Sequence, residues 1–167
     1  ATVCPGGAMQ YAFPTVEGAI ARLRRLLETY RGAGGRDAVV LVHVAENPPR
    51  PGDLPGNRQP FAVEGVGSVG AEFWLSAVAF GAGTVVLAES SRLTSSVRNA
   101  LDVQLADAVA LLQGLGFPPA IGWRDDDSLS GMPVIRPAAY SGAGDKREIL
   151  FLALDHLAGE AAEAATV

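Results

Sequence analysis

Two short runs constrain this chain more than anything else in it: residues 38–44 (AVVLVHV) and 84–88 (TVVLA). Both are almost wholly apolar and rich in β-branched residues. A strand that alternates apolar and polar residues leaves one face wet, whereas an unbroken apolar run has to be covered on both. Runs of this kind belong to parallel sheets, whose neighbouring strands are joined by long crossovers, usually helices.

Helical patterns flank these runs. Thr15 is placed to cap a helix reaching about Tyr30, with Glu17 in the first turn, where a carboxylate suits the dipole. Ala19, Ile20, Leu23, Leu26, Leu27 and Tyr30 recur at helical spacing, and Gly32, Gly34 and Gly35 stop the helix. A second helix is expected over 71–80. A third runs from a Ser95 or Ser96 cap to about Leu112, with Val97, Ala100, Leu101, Leu105, Ala108, Val109 and Leu112 on its core face. Asp145 caps a fourth that buries Ile149, Leu150, Ala153, Leu154 and Leu157. Weaker strands are expected at 61–64 and 120–124. The loop at 45–60 carries Pro48, Pro49, Pro51, Pro55 and Pro60. Residues 125–144 are polar and Gly-rich, with no clear period. The resulting alternation predicts an α/β fold, a three-layer sandwich around a mostly parallel sheet of about four strands. The domain is expected to span 15–158, with 159–167 read as a frayed end or a linker.

The 167 residues fit one domain, long enough to bury a full core. A net charge of −5 without a basic stripe argues against a nucleic-acid partner. Arg22, Arg24 and Arg25 are the densest basic group and read as a solvated helix face. No apolar stretch reaches the roughly 20 residues of a membrane helix, and no signal peptide opens the chain. A single cysteine fits a reducing cytoplasm.

Between the predicted strands at 61–64 and 84–88 stands Gly65-Val66-Gly67-Ser68-Val69-Gly70, a literal G-x-G-x-x-G that opens a helix, and Glu89 closes the next strand. This is the layout of a dinucleotide fingerprint. Glycines let the backbone approach a pyrophosphate, and the acid holds a ribose. On that reading NAD or a flavin binds at Gly65, Gly67 and Gly70 with Glu89. Glu64, Pro60 and bulky Trp74 fit the fingerprint poorly. The plainer alternative is a strand-to-helix turn that needs glycine for positive φ. Among other polar residues, His43 lies inside a buried strand and reads as a hydrogen-bonded core residue. His156 falls on the solvent side of the last helix. Asp125, Asp126 and Asp127 read as a solvated turn, since consecutive acids cannot all face one cation. Ser90, Ser91, Thr94, Ser95 and Ser96 form a polar loop at the carboxyl end of a strand, the edge where α/β sheets bind ligands. No acid or histidine is placed to activate any of these serines.

Cys4 lies in a first stretch, ATVCPGGAMQYAFPT, of which residues 1–14 are expected to be the tail end of an upstream motif. Cys-Pro after a three-residue spacer matches the end of the ferredoxin run C-x2-C-x2-C-x3-C-P. The other three cysteines are then expected upstream of Ala1, in a longer parent chain, and the lack of an initiator Met agrees. A second stretch, GVGSVGAEFWLSAVAFGAGTVVLAE, forms a central β-α-β segment, and a third, GDKREILFLALDHLAGEA, a helix. Together these stretches resemble bacterial ferredoxin-type proteins that carry cysteine clusters before and after a central α/β domain. The central stretch is also similar to the delta subunit of methyl-viologen-reducing hydrogenases, which passes electrons between a hydrogenase and a partner reductase. Cysteines in such subunits precede the central helix and follow the second strand; here Gly65 and Glu89-Ser90-Ser91 stand there instead. The resemblance implies a docking domain without its own complete cluster. Cys4 is the one ligand carried over, to a 4Fe–4S cluster of the parent protein. It further implies flanking ferredoxin modules, a redox partner and no cofactor in this domain.

Overall fold

The computed structural model describes residues 15–50, 52, 54–88 and 93–166. Helix α1 (Val16–Gly32) begins as its sequence dictates: the Thr15 hydroxyl accepts the Gly18 N–H at 3.0 Å, and Ala19, Ile20, Leu23 and Leu27 are buried along one stripe. β1 (Val39–Val44) follows, then the proline-rich connection, then β2 (Arg58–Val63). α2 (Ala71–Ala79) carries the chain over to β3 (Thr84–Leu87). α3 (Ser95–Gly114) leads to β4 (Ile121–Trp123), and α4 (Lys146–Ala164) closes the described residues.

The four strands form one sheet in the order β2-β1-β3-β4, every pairing parallel. The two sequence-defining runs are its adjacent central strands, with Val40 opposite Val85 and Val42 opposite Leu87. β2 begins at Arg58 and includes Pro60, earlier than the expected strand at 61–64. Pro60 is exposed and tolerated because β2 is an edge strand, which can lose one ladder donor.

Val40, Val42, Phe61, Val63, Val85, Leu87 and Ile121 point to one face and join the buried residues of all four helices in a single core. Leu41, His43 and Val86 alternate to the opposite face and are also buried. α2 lies at the centre of the helices and packs along α4. Every residue from Glu72 to Phe80 is buried, so α2 has no wet face.

Two ends differ from the sequence expectation. α3 starts at Ser95 with Thr94 at the cap position, and the Thr94 hydroxyl turns to Ser96 Oγ at 3.1 Å. α4 runs through Gly159 to Ala164 instead of ending near Leu157. Its last turns have a partner the sequence does not announce: Arg136 Nη2 lies 2.9 Å from Glu160 and 3.0 Å from Glu163.

Candidate functional site

Strand order marks where such a sheet takes a ligand. β1 sends the chain outward to β2, while β3 sends it the other way to β4. Where connections diverge like this, a crevice opens at the carboxyl ends of the two strands. Here that place lies beyond Val44 and Leu87. Ala45 N–H donates to the Val63 carbonyl at 2.8 Å, and Ala88 N–H to the Val42 carbonyl at 2.9 Å, which seals the edge beneath it. The segment after β2 folds beside β1 as a 3-10 turn, Val66–Ser68.

That turn contains the G-x-G-x-x-G run. Gly65 has φ −160° and Gly70 φ −130°, both extended, so these two positions make no use of the positive φ that the plainer reading assigned to the turn. The run is not tight: a 3-10 turn sits between two extended glycines. Gly70 caps α2 without a side-chain bond. Glu72, in the first turn, is buried and sits 3.7 Å from Lys146 Nζ at the start of α4. A carboxylate therefore already occupies the favourable field of this helix end, and Lys146 balances it. β1 separates the Gly-rich turn on β2 from the end of β3, which Glu89 follows. Glu89, Ser90 and Ser91 lie outside the described residues, as does Cys4.

His43 is buried near the carboxyl end of β1, with Nδ1 3.0 Å from the Val44 carbonyl. A carbonyl only accepts, so Nδ1 carries the proton and Nε2 is the basic nitrogen. This is the hydrogen-bonded core histidine the sequence suggests. His156 Nε2 donates to the Arg136 carbonyl at 2.7 Å, a structural contact between α4 and the irregular segment before it. Asp126 accepts from both the N–H and hydroxyl of Ser128, at 2.9 and 2.6 Å, which holds its carboxyl below the usual range. The aspartate run is thus a self-capped turn. Among the described residues no three His, Cys, Asp or Glu side chains gather as a metal site. A 4Fe–4S cluster needs about four thiolates and the chain has one cysteine, so its donors do not fit a cluster held by this chain alone.

At the opposite, amino edge of the sheet a cavity of about 360 Å³ lies among Tyr30, Arg31, Asp37, Gly83, Met132 and Ile135. Arg31 donates to the Phe80 carbonyl and so closes the carboxyl end of α2, and burial lowers its pKa. Asp37 adopts φ 51° beside it.

Three side-chain groups were not visible to sequence reasoning: Glu72 with Lys146, Ser76 with Tyr140, and Trp123 with Asp102 and Arg98. Only the last leaves a local trace, since Arg98 and Asp102 stand one helical turn apart at 3.2 Å. The Trp123 indole donates to Asp102 at 2.7 Å, and the Arg98 guanidinium lies 4.0 Å over the Trp123 ring.

Comparison with known proteins returns no match, whether to a family model, a curated protein or a solved structure. The chain is an α/β domain built on a four-stranded parallel sheet, and no family is identified. Among the described residues no helix is long and apolar enough to cross a membrane.

Proposed function

We propose that this chain is a structural and docking domain of a cytoplasmic, multi-cluster iron–sulfur electron-transfer protein. In that reading it spaces two ferredoxin modules and offers a surface to a redox partner. The clusters belong to the flanking modules, with Cys4 as the last ligand of the upstream motif.

The supporting observation is how the central stretch of the resemblance folds. It forms one crossover from β2 through α2 to β3, and α2 is enclosed on every side. Such a body suits a spacer, because the segment is committed to packing. Both ends of the domain are also helical, α1 beginning at Val16 and α4 reaching Ala164, so modules joined there would be attached through rigid elements.

The test uses the chain extended upstream to include the other cysteines, purified without oxygen, alongside its Cys4→Ser variant. Iron, sulfide and EPR spectra are measured on both. A cubane signal that Cys4→Ser removes or alters is the expected result. No iron in either protein would overturn the proposal and leave the Gly65, Gly67 and Gly70 turn, with NAD or a flavin, as the leading idea.

A further inference from the structure

Sheets of this kind usually take ligands at their carboxyl edge, yet the cavity of about 360 Å³ lies at the amino edge. The segment after β4 makes it. Met132 N–H donates to the Gly83 carbonyl and Ala138 N–H to the Ala79 carbonyl, both at 2.8 Å, so this segment is tied to α2 and to the turn before β3. Between the ties, Ile135 and Pro137 line one side of the cavity. The Gly81–Gly83 turn lines another, and Tyr30 and Arg31 at the end of α1 a third. The Tyr30 hydroxyl donates to the Arg36 carbonyl at 2.9 Å, which fixes the ring. Gly35 permits this, because a Cβ there would stand 2.4 Å from the ring.

Arg31 brings a charge to this cavity that the chain leaves unpaired. Its guanidinium donates to the neutral Phe80 carbonyl and forms no ion pair among the described residues. Burial lowers its pKa, and Glu28, which opposes that shift, is itself held by Arg24 at 2.7 Å. A guanidinium carries five donors in a planar fork, so most remain for a second acceptor. The close seat of this fork depends on Gly81, which has φ +91° and where a Cβ would lie 2.5 Å from Arg31 Nη1. Ala38, a lining residue only 2 % exposed, adds an N–H that has no acceptor among the described residues. Arg36 and Asp37 are exposed and also line the cavity. Two cations against one carboxylate suit a monoanion better than a dianion. The remaining lining is largely apolar, and Val134 in it is 96 % exposed.

We propose that this cavity binds a small carboxylic acid with a flat apolar body, its carboxylate on Arg31 and its body between Tyr30 and the 132–137 segment. A volume of about 360 Å³, apolar walls and a few converging polar groups are the features of a small-molecule site. The bond to Arg31 is charge-assisted, and the planar fork matches a carboxylate. An incoming anion also compensates a cation already partly withdrawn from water. The walls then select the body, since an acid with little apolar surface leaves them wet. The proposal concerns the amino edge alone and stands apart from the iron–sulfur reading.

The probe is 2-naphthoate, titrated into the chain while the amide resonances of Gly81 and Gly83 and the methyl resonance of Met132 are followed. Two controls divide its features: 2-naphthamide has the body without the charge, and acetate the charge without the body. The expected result is saturable binding of naphthoate with shifts at all three residues, about tenfold weaker binding of the amide, and no saturation by acetate. Arg31→Gln should weaken naphthoate about tenfold. Because Arg31 also closes the end of α2, a second pair of variants tests the charge at a position that the fold does not use. Val134→Glu, 96 % exposed in the native chain, should weaken naphthoate severalfold, and Val134→Lys should not. Equal binding of naphthoate and naphthamide would overturn the proposal, as would no saturation at millimolar naphthoate. Shifts gathered away from the amino edge, or the same affinity in Val134→Glu and Val134→Lys, would overturn it too.

Discussion

The Tyr140 hydroxyl donates to Ser76 Oγ at 2.9 Å, joining residues 64 apart in the chain. Ser76 in turn donates to the Glu72 carbonyl at 2.6 Å. Tyr140 belongs to no helix or strand, yet this bond pins its segment to the interior side of α2. The Ala138 N–H to Ala79 carbonyl bond, 2.8 Å, and the Phe80 and Tyr140 rings, 4.7 Å apart, complete the seam. Tyr140→Phe keeps the ring and removes the bond. It should cost about 1 kcal/mol, read as a lower urea midpoint at unchanged slope.

The same tyrosine gives a pH signature. Burial pushes its pKa up to about 12, against an ordinary value of 10.0. The folded state thus favours the neutral phenol. That contribution is complete below pH 10 and is lost as pH rises toward 12, by roughly 2–3 kcal/mol in all. The stability gap between the native chain and Tyr140→Phe should therefore narrow above pH 10 and then invert. Denaturant titrations of both proteins at several alkaline pH values would show it, and a constant gap would refute it.

Asp145 and Glu148 cap α4 reciprocally: Asp145 accepts the Glu148 N–H at 2.9 Å, and Glu148 accepts the Asp145 N–H at 2.8 Å. Asp145→Ala should lower stability by about 1 kcal/mol, whereas Asp145→Asn keeps most of the cap. Thermal melts of the pair would separate capping from a general loss of charge.

Two glycines should respond in opposite directions to alanine. Gly142 has φ +75°, and a Cβ there would meet the buried Ile20 side chain, with Ile20 Cβ only 2.7 Å away. Gly142→Ala combines overpacking with backbone strain and should cost about 2 kcal/mol or more. Gly159 lies inside α4 with nothing within 4 Å of an added Cβ. Gly159→Ala should add about 0.5–1 kcal/mol. No gain at Gly159 would mean that the end of α4 is not helical in solution, as the frayed-tail reading holds.

The glycine run can be examined with nucleotide fluorescence. Under the docking-domain proposal, NADH or a flavin titrated to millimolar concentration leaves the signal unchanged. Saturable binding that Gly67→Val abolishes would favour the oxidoreductase reading instead.

The parts of this fold that depend on local pattern were legible. The apolar runs marked β1 and β3 as buried parallel strands, and Thr15 and Asp145 announced their helices. Such signals sit within one turn or one strand of the residues they govern. The edge position of β2 was not legible, because Pro60 argues against a strand unless the neighbours are known. The end of α4 was hidden for a similar reason: Arg136, which holds it, is supplied by a distant irregular segment. For the candidate site, the G-x-G-x-x-G letters were correct, but letters do not carry φ. Gly65 and Gly70 prove to be extended residues around a 3-10 turn. Glu72 and Lys146 meet only through the packing of α2 on α4, which no spacing encodes.

A helix with no outside carries a consequence for how this protein can vary. Saturation mutagenesis of an ordinary surface helix returns a rhythm of tolerant and intolerant positions that follows its turns. Across α2 that rhythm should vanish, leaving an unbroken block of intolerance from Glu72 to Phe80. The stretch GAEFWLSAVAFGAG would then persist in descendants long after the loops around it had drifted apart. Its persistence would record packing and need not report any chemistry performed there.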